Sequence, residues 1–174
     1  MKVADLNFKK FIPEAELMDA VKKLASIINF DYKGKTPVFL SILNGSFMFT
    51  ADLLKYITID CKVSFVKVSS YSGTQTTGQV KTLIGLDESL FKQDVIIVED
   101  IVDTGTTLQK ILDELNALGV HSVEVVSLLR KEIARERKVN VKYVGFDIDS
   151  EFVLGYGLDY NGLGRNFPDL YKKA

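Results

Sequence analysis

The sequence predicts an α/β protein: a mostly parallel five-stranded sheet flanked by helices, with a small C-terminal hood subdomain over its carboxyl edge. Three observations carry this. Apolar runs at about 37–43, 62–69, 95–99, 122–129 and 142–148 have strand length. At Val95, Ile96, Ile97 and Val98 the run is continuous, as in strands covered on both faces. Helical spacing separates the runs, most clearly at Leu108, Ile111, Leu112 and Leu115. Short turns of small polar residues follow two of the runs, the arrangement of strand–turn–helix units. With 174 residues, 47% of them hydrophobic, the chain is expected to form one domain. Its core spans about 35–150, and the N-terminal segment joins 150–174 in the hood.

Taken in order, Pro13 followed by Glu14 and Glu16 marks a helix start, and Leu17, Val21, Leu24 and Ile28 repeat at helical spacing. Lys33, Gly34 and Lys35 turn the chain into the first buried strand. Asn44, Gly45 and Ser46 close that strand, and 47–56 reads as a helix. By itself such a turn is more often ordinary than anion-binding. The strand at 62–69 leads into a polar stretch, 69–79, without apolar period, which fits either a hairpin tip or a lid. The chain returns as a strand at 80–85, assigned with the C-terminal strands to the hood.

The organising stretch is VIIVEDIVDTGTTL, 95–108. Glu99 and Asp100 place two carboxylates at the expected end of the strand. Asp103, Thr104, Gly105, Thr106 and Thr107 then form a hydroxyl-rich turn before a helix that runs to about Leu118, with Gly119 as its C-cap signal. A helix N-terminus offers unpaired N–H groups and a positive dipole end, which suits a phosphate. Gly105 lets the backbone approach such an anion closely. The carboxylates suit ribose hydroxyls or a hydrated magnesium ion, which prefers oxygen ligands. Thr or Asp before a helix is usually only an N-cap, and acidic pairs at strand ends are often solvated. The coincidence of buried strand, paired acids and hydroxyl-rich turn is more specific than either alone. GxxxxGK[ST] and GxGxxG are both absent. Paired with the 103–107 turn, the Asn44–Gly45–Ser46 turn reads as a second candidate anion site.

Downstream, Arg130 and Lys131 stand at the end of the strand at 122–129, where open parallel sheets hold their ligands. After the last core strand comes FVLGYGLDYN, 152–161. Aromatic residues in such a run are more often core than a base platform.

A formal net charge of −1 gives no basic footprint for nucleic acid. Cys61 is the only cysteine, so no internal disulfide forms and a reducing, cytoplasmic setting is expected. No apolar run reaches membrane-spanning length, so no membrane association is expected.

The 95–108 string resembles the phosphoribosyl-pyrophosphate (PRPP) motif of type I phosphoribosyltransferases, and its EDIVDTG core resembles the hypoxanthine-guanine branch. The likeness extends over nearly the whole chain from Pro37 and implies the fold of that family. It implies that Asp103, Thr104, Gly105, Thr106 and Thr107 hold the 5′-phosphate, with Asp103 the catalytic acid/base at purine N7. Glu99 and Asp100 would orient the ribose and its magnesium. The turn at Leu43, Asn44 and Gly45 resembles the pyrophosphate loop, although many members carry lysine at Asn44. SSYSGTQTTGQV resembles the mobile catalytic loop, 69–80, and places Ser70 and Tyr71 over the pyrophosphate, which Arg165 also grips. Lys131 matches the lysine that reads the purine 6-oxo group. Phe152 matches the stacking residue, Val153 the base-edge residue, and Asp159 the residue near the base and a second magnesium. The resemblance thus implies PRPP and a 6-oxopurine as substrates, Mg2+ as cofactor, no nucleic acid, and a homodimer or homotetramer. Two rivals fit the same residues: a regulator of this fold that senses PRPP and binds nucleic acid, and a relative acting on xanthine or a pyrimidine.

Overall fold

The computed structural model describes residues 1–69, 81–84 and 88–174. A short N-terminal hairpin, β1 (Lys2–Val3) and β2 (Leu6–Ile12), precedes α1 (Glu14–Asp31). The sheet units follow as β3 (Val38–Leu43), α2 (Phe47–Leu54), β4 (Lys62–Ser69) and β5 (Lys81–Ile84). Next come β6 (Asp94–Val102), α3 (Thr106–Leu118), β7 (Ser122–Lys131), α4 (Glu132–Glu136) and β8 (Tyr143–Ile148). Two short strands, β9 (Val153–Leu154) and β10 (Leu170–Lys173), end the chain.

The main sheet has the order β5-β4-β3-β6-β7-β8. Its five central and right-hand strands, β4, β3, β6, β7 and β8, are parallel, as expected. Strand β5, which falls within the strand expected at 80–85, departs from expectation. It pairs antiparallel with β4 at the sheet edge rather than entering the hood. The hood is instead a separate antiparallel sheet, β1-β2-β10-β9, in which N-terminal and C-terminal strands pair.

Alternation along β6 explains why its 95–98 stretch is apolar at every position. Ile96 and Val98 pack with Leu17, Val21 and Ile28 of α1 and Phe49 and Leu53 of α2. Val95 and Ile97 pack on the other face with Leu108, Ile111 and Leu115 of α3. Both layers exclude water, and burial of this apolar surface is the main favourable term of folding. Helix α3 ends as expected, with Gly119 in the left-handed region at φ 81°.

The connections from β3 run to one side, through α2 to β4, and those from β6 to the other, through α3 to β7. The strand order therefore reverses between β3 and β6. In open parallel sheets a ligand crevice forms at such a switch point, outside the carboxyl ends of the strands.

Candidate active site

The two turns singled out by sequence lie at this switch point. The β3–β6 ladder ends at Ser41 and Val98. Strand β6 nevertheless continues to Val102, held only by β7, with Ile101 opposite Leu129 and Val102 opposite Arg130. Glu99 and Asp100 thus sit within the strand, not at its end as the sequence suggested. They lie just past the point where β3 stops covering it. Successive side chains alternate across a strand. Glu99 accordingly lines a small cavity of about 90 Å³ with the residues of the 103–107 turn, while Asp100 lines a larger one of about 310 Å³.

The small cavity lies at the turn where the sequence predicts a phosphate site. Thr104, Gly105, Thr106 and Thr107 all border it. The Thr104 and Thr106 hydroxyl oxygens lie 3.1 Å apart. Gly105 caps α3 at φ 78°, and a Cβ there would stand 2.5 Å from Val139 Cγ2. The glycine is therefore required both by its left-handed conformation and by packing against Val139. Val139, between α4 and β8, was not legible as a site residue, because an isolated valine carries no chemical signal.

The larger cavity gathers Gly45, Asp100, Asp103, Lys131, Phe152, Val153, Asp159 and Arg165 from four separate parts of the chain, with Ile101 and Leu158 as apolar lining that sequence reading missed. Lys131 Nζ donates to Asp103 Oδ2 at 3.0 Å. Asp103 borders both cavities. Asp159 accepts from Arg165 Nη2 at 2.6 Å and from the Gly162 N–H at 2.7 Å, so both its oxygens are engaged within the protein. Phe152 is 43% exposed, whereas Val153 is buried and lies opposite Lys172 in the hood sheet. The glycines beside Leu163 shape a tight turn in which Tyr160 and Leu163 exchange backbone bonds at 3.0 Å.

Gly45 is the residue of the first turn that borders the cavity, while Asn44 is exposed and Leu43 half-buried. A Cβ on Gly45 would come within 1.6 Å of Asp100 Oδ2, so only glycine allows this turn and that carboxylate to meet. Beneath the turn, the Ser41 hydroxyl lies 2.7 Å from that of Ser46 and 2.8 Å from that of Thr50, all three buried. This network fixes the turn from below. Ser70 and Tyr71, with most of the 69–80 loop, lie outside the described residues.

The acidic pair has an unusual protonation balance. Burial, and then the adjacent Asp100, push Glu99 well above the usual carboxylate range. Asp100 is pushed up to about 6, chiefly by burial. The Ile101 N–H, which donates to Asp100 Oδ1 at 2.8 Å, and the Arg165 charge oppose that rise, and the Asp159 charge adds to it. Oxygen donors alone, without His or Cys, suit magnesium. Among the described residues no group of three or more His, Cys, Asp or Glu side chains is close enough to hold a metal. An ion here would use one or two carboxylates and complete its shell with substrate oxygens and water, as magnesium ordinarily does.

A mostly parallel sheet with a hydroxyl-rich turn at a helix N-terminus and paired acids at its switch point defines the class of open α/β proteins with a ligand crevice at the carboxyl ends of their strands. The family model for the phosphoribosyl transferase domain matches residues 13–161, and the chain belongs to that family. Among its relatives, the hypoxanthine-guanine phosphoribosyltransferase of Staphylococcus epidermidis is 44% identical over 158 residues, covering 90% of this chain and 88% of the relative. A crystal structure of a hypoxanthine phosphoribosyltransferase from Staphylococcus aureus superposes with a TM-score of 0.89 at 42% identity, over 98% of this chain and 92% of the other. A hypoxanthine-guanine phosphoribosyltransferase from Bacillus anthracis gives 0.88 at 37% identity, over 97% and 99% of the two chains.

Proposed function

We propose that this chain is a purine salvage enzyme that transfers the 5-phosphoribosyl group of PRPP to N9 of hypoxanthine or guanine, releasing pyrophosphate. The observation that carries the reading is the Lys131–Asp103 pair, 3.0 Å apart on the wall of a cavity that Phe152 also borders. A 6-oxopurine protonated at N7 presents an acceptor, O6, beside a donor, N7–H. Lys131 and Asp103 present the complementary donor and acceptor at matching separation. Adenine carries an amino donor at position 6 and would face the ammonium with like polarity. Selection for the 6-oxo group thus needs no further residue.

In this reading Thr104, Gly105, Thr106 and Thr107 hold the 5′-phosphate at the start of α3. Gly45, with Leu43 and Asn44, Arg165, and Ser70 and Tyr71 hold the pyrophosphate. Arg165 grips it through a bidentate guanidinium. Asp103 takes the proton from N7 as N9 bonds to the ribose carbon, and Lys131 stabilises the charge growing on O6. Phe152 stacks on the base, Val153 bounds its edge, and Asp159 lies nearby. Asp100 and, for a second ion, Asp159 would hold Mg2+, while Glu99, turned to the other face of β6, would act from the side of the 103–107 turn rather than share that ion. The metal would neutralise pyrophosphate as it leaves. A cover closed by Ser70 and Tyr71 keeps water from an oxocarbenium-like ribosyl centre.

The proposal extends to a single-domain protein, with its core at about 35–150 and a hood from the N-terminal segment and 150–174. It extends also to a cytoplasmic location, supported by the lone Cys61. A homodimer or homotetramer is supported by exposed apolar side chains such as Val63 and Phe65 on β4. Among the described residues no helix is long and apolar enough to cross a membrane.

The test is pyrophosphate release with PRPP and magnesium, offering hypoxanthine, guanine, xanthine and adenine separately. Release with hypoxanthine or guanine and none with adenine is expected. Release with none of the four, despite measurable PRPP binding, overturns the reading.

A further inference from the structure

The ring assigned to stacking does not stand alone. Phe152 lies 6.2 Å from Phe8, centroid to centroid, at 44°, and 5.7 Å from Tyr160 at 84°, an edge-to-face contact. Phe8 and Tyr160 close the triangle at 6.2 Å and 54°. Phe8 is buried in the hood sheet on β2. The Tyr160 hydroxyl donates to Asp5 Oδ1 at 2.7 Å, in the turn between β1 and β2. The backbone beneath Phe152 is also held, since the Lys173 N–H donates to its carbonyl at 2.9 Å.

A half-exposed phenylalanine is free to rotate about its side-chain bonds unless its neighbours forbid it, and base stacking depends on the plane it presents. Edge-to-face contact fixes ring orientation as well as position. We propose that Tyr160 is a positioning residue for the purine: clamped by Asp5, it sets the plane of Phe152 together with Phe8. The N-terminal hairpin thereby belongs to the base-recognition apparatus, although neither Asp5 nor Phe8 borders the cavity. The inference rests on the reading of Phe152 as the base platform.

The experiment is calorimetric binding of IMP and, separately, of ribose 5-phosphate, which shares the phosphate cradle but carries no base. Tyr160→Leu removes the ring contact and is expected to weaken IMP binding about tenfold, leaving ribose 5-phosphate within about twofold. Tyr160→Phe keeps the ring, and its IMP affinity is expected to return to within about threefold of the parent. Asp5→Ala breaks the same hydroxyl contact from the other side. It should match Tyr160→Phe, and the two losses should not add in the double variant. These two mild variants keep the test open if Tyr160→Leu fails to fold. Equal weakening of IMP and ribose 5-phosphate, parental IMP binding by folded Tyr160→Leu, or additive losses in the double variant would overturn the proposal. A parent protein that binds ribose 5-phosphate but not IMP would instead overturn the underlying reading of the base site, and this inference with it.

Discussion

Arg165 is clasped by its own loop: Nη2 stands 2.6 Å from Asp159 Oδ1, and Nη1 donates to the Gly157 carbonyl at 2.6 Å. Both arms of the guanidinium are therefore engaged by acceptors of this chain. Gly157 in turn lies against the Gly45 turn, since a Cβ on it would meet the Gly45 carbonyl at 2.1 Å. The arginine is held ready at the edge of the proposed pyrophosphate site. An arriving diphosphate must draw it from a carboxylate, and it can do so only by offering two oxygens in the same planar geometry.

Arg165→Lys tests this directly. An ammonium keeps the charge but loses the paired geometry, and hydrogen bonds to charged groups contribute about 1.5–3 kcal/mol. The KM for PRPP should rise about 10- to 100-fold, with a smaller change in the KM for the base. Steady-state kinetics with each substrate varied in turn provides the check. An unchanged KM for PRPP would remove Arg165 from the pyrophosphate site.

Asp103→Asn should lower turnover by about 10²–10⁴-fold, the range lost with a true general base. The substitution also removes the partner of Lys131, but Asp103 is 56% exposed, so the pair contributes little to stability. The thermal midpoint should stay close to that of the parent. A loss of turnover under about tenfold with intact PRPP binding rules out the acid/base role.

The parallel core was readable because each of its strands carries a local signature. Val95, Ile96, Ile97 and Val98 announce burial on both faces, and Gly119 marks the end of α3 within one residue. What local pattern misses is pairing over distance. Strand β6 runs four residues beyond its apolar segment because β7 continues to pair with it, and two acidic residues in a row hide that extension. The strand at 80–85 looks like any short strand, and only its ladder with Lys67, Val68 and Ser69 assigns it to the main sheet. Within the site, the hydroxyl-rich turn pointed to Asp103 and the strand end to Lys131, whereas Phe152 was singled out only by the resemblance to the phosphoribosyltransferase family. The pairing of Lys131 with Asp103 joins positions 28 residues apart and was not legible. Nor was the separation of Glu99 and Asp100 into different cavities, which needs the register of β6 against β3.

Gly45→Ala follows from that register. A methyl group would need the space of the Asp100 carboxylate, 1.6 Å away, and Asp100 is itself half-buried and bonded to the Ile101 N–H. One of them must move, and either movement disrupts the proposed pyrophosphate turn or the proposed metal ligand. A misplacement of about 1 Å in such a site costs about 10²-fold, so kcat/KM for PRPP should fall by about that factor. The buried Ser41, Ser46 and Thr50 network below the turn is not touched by the methyl group, and cooperative unfolding should be retained. Parental activity in Gly45→Ala would show that the turn and Asp100 do not act together.

The raised carboxyl of Asp100 would make the proposed metal binding depend on pH. In the unfolded chain an aspartate titrates near 3.9, whereas in the folded protein this one titrates at about 6. Between these values the folded state binds more protons than the unfolded state. Stability from this group is therefore present at low pH and declines as pH rises through about 6, where a buried charge must form. Glu99, raised in the same direction, adds to the trend. Magnesium held as proposed would reverse the balance, because it would bind the ionised carboxylate and have to displace the proton below that point. Added Mg2+ should accordingly raise the melting temperature more at about pH 7.5 than at about pH 5.5, and its apparent affinity should fall by up to about tenfold per unit of pH below 6. Asp100→Asn, which has no proton to lose, should flatten both the metal-free pH profile over this range and the magnesium response. Thermal denaturation of both proteins across the range, with and without Mg2+, decides the matter. A magnesium response in the parent that is the same at both pH values would show that the ion does not compete for the Asp100 proton.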